Sequence, residues 1–321
     1  MKDFRIAAVQ CRPSPSGPFD ENLAMLDRHL ACAVKRGAQF VVFPEVTLSG
    51  YVNEAEAVHS RALRMVDPVV GEAVALSDRH SVYCCFGMFE ADGDKLYNTA
   101  ILAGEGRQIG VYRKVHIPDR ERGLFSPGDR LRVFDTPFAR TGIGICFDNE
   151  VCETHATLAV LGAELIVMPA AWADHWERED YVESCATDEE VIRERCRWQT
   201  MMFGARCRDT GTYSVLANQC GIESGGPWRF PGKSMIFAPT GRVLAEAGAW
   251  EEEILCADLD AQLLARYRAM PCYALNERRP VAYRALVDEA LGSGTRRKDR
   301  PEVSCGSDRH STERCPPKTS L

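Results

Sequence analysis

Three residues of this chain, Glu45, Lys114 and Cys146, could together perform nucleophilic chemistry on a carbonyl group. A sulfur can attack the carbonyl carbon. A carboxylate can take the thiol proton and return it to a leaving group. An ammonium can pair with the oxygen that becomes negative. Each of the three ends an apolar run: Glu45 follows QFVVFP, Lys114 closes RQIGVYRK, and Cys146 closes ARTGIGIC.

Each also has a plainer reading when taken alone. Glu45 could be a turn residue, although a carboxylate at the end of an interior strand is costly unless paired or used. Lys114 could be a surface lysine whose stem lies along apolar neighbours. Cys146 could be a buried strand cysteine like Cys84. The glycines of GIGI let the backbone turn sharply there. The helix-like segment that follows would favour an anionic sulfur, so the sequence predicts a thiolate. Glu121, in DRERG, reads alone as surface charge.

The elements that must carry these residues alternate along the chain. FRIAAVQC is strand-like. A helix over residues 21–36 is predicted, capped by Asp20 and closed by Gly37. QFVVFPE is a buried strand that stops at Pro44. A helix over residues 70–79 precedes SVYCCFGMFE and KLYNTAILAG, two strands around the ADGD turn. RQIGVYRKV and a polar loop, HIPDRERGLFSPGD, lead to ARTGIGIC. A helix over 151–161, strand ELIVMP, a helix over 188–208 and strands TYSVLANQ, SMIFAP, RVLAEAG and EEILCADLD follow, with a last helix over 261–268. This alternation predicts a layered α/β fold with mixed sheets. Residues 1–291 read as one domain. Residues 292–321 are polar and short of core formers, and read as a disordered tail.

The 321 residues carry a net charge of −7. That balance excludes a basic nucleic-acid surface and a polybasic membrane patch. No apolar run approaches the roughly 18 residues of a membrane-spanning helix, and the N-terminus does not read as a signal peptide, so the expected location is cytoplasmic. The fourteen cysteines form no CxxC pair, and most lie in apolar runs as reduced, buried hydrophobes. Cys305, His310 and Cys315 in the tail are a weak metal-binding signal; no metal and no organic cofactor is expected.

Taken in order, the words resemble the carbon–nitrogen hydrolase family, the nitrilase superfamily. The matching text is AAVQ, VVFPEVTLSGY around Glu45, YRKVHIP around Lys114, SPGD, GIGICFD around Cys146, ELIVMPAAW and GKSMIFAPTGRVLAEAG. It covers about residues 4–285. The resemblance implies a four-layer αββα sandwich and a Glu–Lys–Cys triad, with Glu45 as general base, Lys114 as cation and Cys146 as nucleophile. It places Glu121 near the substrate and implies a homodimer or larger assembly. The backbone N–H of Phe147 would be a second oxyanion donor, and Trp172 and Asp174 would line the pocket. A Cys–His pair using His116, His155 or His175 is the competing catalytic arrangement, with His116 expected to brace the lysine loop.

The resemblance bears on substrate through Phe147–Asp148. Nitrilases typically show Trp-Glu there, whereas amidases and carbamoylases often have an aromatic residue and an aspartate. The expected substrate is a small linear amide or N-carbamoyl compound, with N-carbamoylputrescine as a specific example. The alternatives are a nitrile, or a scaffold that binds a small molecule without turnover.

Overall fold

The computed structural model describes residues 1–173, 187–222 and 229–287. The chain divides into two units, Met1–Glu277 and Arg278–Leu321. The described part of the second holds a 3-10 helix, Pro280–Leu286. The boundary expected at residue 291 and the tail cysteines lie outside the described residues, as do Asp174 and His175.

Both sheets of the first unit are built around three parallel strands. The first half runs β1 (Phe4–Gln10), α1 (Phe19–Lys35), β2 (Phe40–Val42), α2 (Ala55–Arg61), α3 (Pro68–Arg79), β3 (Tyr83–Asp92), β4 (Lys95–Gly104) and β5 (Arg107–Arg113). The second runs β6 (Val133–Asp135), β7 (Arg140–Ile143), α4 (Cys152–Val160), β8 (Leu165–Ala170), α5 (Asp188–Thr210), β9 (Tyr213–Asn218), β10 (Cys220–Ile222), β11 (Arg229–Pro231), β12 (Met235–Phe237), β13 (Val243–Glu246), β14 (Glu253–Leu259) and α6 (Ala261–Arg268). The strand orders are β14-β1-β2-β3-β4-β5 and β13-β12-β9-β8-β7-β6, with β10-β11 as a separate pair. β1, β2 and β3 are parallel, as are β7, β8 and β9; every other pairing is antiparallel.

Alternating side chains create the layers. Ala7, Val9, Val41, Phe43, Cys84 and Phe86 face Leu26 and Leu30 of α1 and Val70 and Val74 of α3. Their neighbours Ile6, Ala8, Phe40, Val42 and Cys85 share a cluster with Ile143, Leu165 and Val215 of the second sheet, to which Leu158 of α4 and Phe203 of α5 also belong. The result is the αββα sandwich. Among the described residues no helix is long and apolar enough to cross a membrane.

Local chemistry sets the helix ends, not always as the sequence suggests. Pro18, not Asp20, is the N-cap of α1; Asp20 lies in the first turn, where it complements the helix dipole. Gly37 closes this helix with φ 83°. Thr187 and Glu190 cap each other's backbone N–H groups at the start of α5. Helix α2, absent from the sequence expectation, is only seven residues long and lacks enough turns to show a period.

The turn between β7 and α4 is held from beneath. Cys146 opens a 3-10 helix, Cys146–Glu150, and has φ 46°. A non-glycine residue in that left-handed region costs of order 1–3 kcal/mol, so its surroundings must enforce it. Asn149 Nδ2 donates to the carbonyls of Gly144 (2.8 Å) and Cys146 (3.2 Å). A Cβ on Gly144 would lie 2.6 Å from Asn149 Oδ1, so a larger residue would displace the amide that holds the turn. The same Oδ1 is 3.1 Å from His155 Nε2 on α4. An amide oxygen only accepts, so Nε2 carries the proton.

Burial, with help from the Arg206 cation, lowers the His155 pKa to about 3. In the unfolded chain the value is about 6.5. The folded protein therefore resists a proton that the unfolded chain accepts. Stability from this group is full above pH ~6.5 and is lost as pH falls towards 3. Between pH 6.5 and 4.5 the loss should be about 2–3 kcal/mol. Urea denaturation at both pH values should show that fall in the wild type, and a clearly smaller one in His155→Gln, whose amide can still donate to Asn149.

Candidate active site

Glu45, Lys114 and Glu121 meet between the two sheets, in a space with almost no solvent contact. Glu45 lies past the end of β2, beyond Pro44. The next residue, Val46, has φ 45°, a strained value for a β-branched side chain. This turn presses against Gly87 of β3, where a Cβ would lie 2.5 Å from Val46 N. The Glu45 backbone spans both sheets: its N–H donates to Ala170 O (3.3 Å), and its carbonyl accepts from Gln219 Nε2 (2.9 Å).

Lys114 follows β5 and is 0% exposed. Its Nζ is 2.9 Å from both Glu45 Oε1 and Glu121 Oε2. Burial alone would drive the ammonium to deprotonate, but the Glu121 and Glu45 carboxylates outweigh it and hold the pKa well above the usual lysine range. Glu121 is itself buried. It ends a 3-10 turn, Asp119–Glu121, inside the polar loop, and its Oε1 accepts from Tyr51 OH (2.9 Å). Pairing with Lys114 removes it from the surface position that DRERG suggests alone. Asn98 Nδ2 donates to Glu45 Oε1 (2.7 Å). Glu45 Oε2 is buried and accepts no hydrogen bond from any described residue.

Cys146 is 2% exposed. Burial first, and then the Glu45 carboxylate, push its thiol well above the usual range. Lys114, a hydrogen bond from the Ala171 backbone and the Arg120 guanidinium pull the other way without prevailing. The sulfur therefore rests as a neutral thiol, contrary to the thiolate expected from a helix end. The turn that Cys146 opens is 3-10, and α4 begins only at Cys152. Burial outweighs so short a dipole.

Asp148, which the sequence reading used only to sort substrates, ties this turn to the lysine loop. Its Oδ1 accepts from the N–H groups of Val115 (3.2 Å) and His116 (2.8 Å) and from His116 Nδ1 (2.8 Å). Its Oδ2 accepts from Ile145 N (2.9 Å) and Tyr112 OH (2.8 Å). The backbone after Lys114 and the backbone before Cys146 are thus fixed to one carboxylate. The signal for it was the CFD word; for Tyr51 and Asn98 it was LSGY and KLYN.

His116 braces the lysine loop through Asp148, and His155 braces the nucleophile turn through Asn149. Phe147 is 37% exposed and occupies the second position of the 3-10 turn, where N–H groups lack acceptors within the helix. Trp172 is half-buried and stacks on Phe203 of α5, with ring centroids 5.5 Å apart. Its neighbours Ala171 and Ala173 instead pack with Tyr51 and Phe125. Among the described residues no group of acids, histidines and cysteines could hold a metal ion.

Comparison with known proteins accords with this geometry. The family Carbon-nitrogen hydrolase matches residues 5–269. The chain is 34% identical over 270 residues to a nitrilase of Pyrococcus abyssi, covering 82% of this chain and 92% of that protein. It is 30% identical over 304 residues to a citrullinase of Francisella tularensis, covering 89% and 99%. A mutant of an amidase from Nesterenkonia superposes with a TM-score of 0.71 at 25% identity, over 88% of this chain and 95% of that one; the structure of that mutant shows covalent addition of the acetamide moiety of fluoroacetamide at the active-site cysteine. The chain therefore belongs to the carbon–nitrogen hydrolase family of the nitrilase superfamily, enzymes that act on carbon–nitrogen bonds other than peptide bonds.

Proposed function

We propose that this enzyme hydrolyses a small linear amide or N-carbamoyl group through a thioester on Cys146. The supporting observation is the buried Glu45–Lys114–Glu121 chain with Glu45 Oε2 left open, and a Cys146 thiol whose proton affinity both Glu45 and Lys114 shift. The thiol proton passes to Glu45 as sulfur bonds to the carbonyl carbon. The oxygen, now negative, is stabilised by Lys114 and the Phe147 N–H; one such donor contributes about 2.7–4 kcal/mol. The C–N bond breaks as Glu45 returns the proton to the leaving nitrogen. Water then gives a proton to Glu45 and attacks the thioester, and the proton returns to sulfur as the acid departs. Glu121 keeps Lys114 charged and in place throughout.

The Phe147–Asp148 pair, the citrullinase and the Nesterenkonia amidase support the amide and N-carbamoyl branch, with N-carbamoylputrescine as one specific substrate. The Pyrococcus relative named a nitrilase favours a second reading, a nitrile, which the same thiol could attack. The described cysteines are all free, which supports a reducing, cytoplasmic setting. We also propose assembly into at least a homodimer: Val160 of α4 and Trp198 and Met201 of α5 are exposed on the outer helical layer.

A panel of primary amides, N-carbamoyl amines and nitriles, read by ammonia release, should show turnover of amides or N-carbamoyl amines. Cys146→Ala should lower it at least about a thousandfold. Release from nitriles alone would overturn the branch. Light scattering should give at least twice the mass of one chain; a monomer at micromolar concentration would reject the assembly.

A further inference from the structure

We propose that Asn98 contacts the substrate and selects leaving groups with more than one N–H, so that the preferred substrates are primary amides and terminal ureido groups that release ammonia. This rests on the acyl-enzyme reading above. Asn98 lies on β4, where its own carbonyl accepts from Lys114 N (2.8 Å). It shares a strand face with Ala100 and Leu102, both in the cluster between the sheets. Asn98 is 1% exposed.

The orientation of its amide follows from chemistry. The group 2.7 Å from Glu45 Oε1 must be the nitrogen, because a carboxylate paired with Lys114 only accepts. The amide oxygen must then face elsewhere. Asn98 Oδ1 is buried and receives no hydrogen bond from the described residues, and the same holds for Glu45 Oε2. Two adjacent buried side chains thus each present an acceptor without a donor, a costly arrangement that a donor-bearing ligand relieves.

The reaction supplies donors at this place. The leaving nitrogen must reach Glu45 to receive its proton. An –NH2 group can do so while directing an N–H at Asn98 Oδ1. An N-alkyl nitrogen keeps a single N–H, so it satisfies that oxygen in only one of its two orientations and in the other puts carbon against it. Sites that hydrogen-bond a substrate N–H reject analogues lacking it far more strongly than apolar pockets reject an extra methyl.

The test uses acyl transfer, which is the same step in reverse. The full-length enzyme is acylated with p-nitrophenyl propionate and partitioned between hydroxylamine and N-methylhydroxylamine. In this step nitrogen bonds to the acyl carbon, the C–S bond breaks, and the nitrogen's proton passes through Glu45 to sulfur. A small-molecule propionyl thioester gives the intrinsic preference between the two reagents. The wild type should exceed that preference for hydroxylamine at least about tenfold, and Asn98→Ala should return to it. A wild-type ratio equal to that of the free thioester overturns the proposal without need of the variant, as does a preference unchanged in Asn98→Ala, which would leave Asn98 as a support for Glu45 or a water site. Failure of the acyl-enzyme reading is separate: nitrophenolate release that is absent, or that persists in Cys146→Ala, shows that no thioester forms on that sulfur.

Discussion

Lys114 has no solvent to carry its charge, so the charge rests on Glu45 and Glu121. Removing one partner of such a buried pair costs about 3–5 kcal/mol, because the remaining charge is stranded. This constraint draws three distant segments together: the end of the second strand, the strand before the polar loop, and the loop itself. It also fixes which carboxylate oxygen is free. Lys114 and Asn98 both occupy Glu45 Oε1, which leaves Oε2 as the open acceptor. The base is thus poised by the partners of its other oxygen.

The sulfur is governed by the opposite sign of the same effect. Burial that is tolerable for a paired ammonium penalises an unpaired thiolate. Glu45 adds repulsion, so the resting thiol stays neutral and its proton has one obvious destination. The backbone is strained at both reacting ends, at Val46 beside the base and at Cys146 itself. Asp148 and Asn149 hold the second of these turns, and Gly87 and Gly144 leave the room that both need. Strain of this kind persists where surrounding contacts over-determine it.

Much of this was legible in the sequence. The order of Glu45, Lys114 and Cys146 at the ends of apolar runs was visible because a strand that stops abruptly marks where interior meets loop. The major strands followed from alternating and apolar runs that tertiary packing reinforces. What escaped had physical causes. Glu121 read alone as surface charge because its partners lie seven and seventy residues away, and only the family resemblance placed it at the site. The thiolate expectation weighed a local dipole and could not weigh burial. Asp148 binds three backbone N–H groups as well as Tyr112 and His116, and the CFD word marks its position without marking those partners. The helix begins at Phe19, two residues before Glu21, so Pro18 takes the cap position and Asp20 falls in the first turn.

The central claim is that the resting site holds a Lys114 ammonium between Glu45 and Glu121 and an uncharged sulfur on Cys146. The most direct measurement is the ultraviolet absorbance of thiolate across pH 6–9, taken as the difference between the wild type and Cys146→Ala. The account predicts no thiolate band from Cys146 in that range. A band already present at neutral pH, lost with Cys146, would show a preformed thiolate and contradict it.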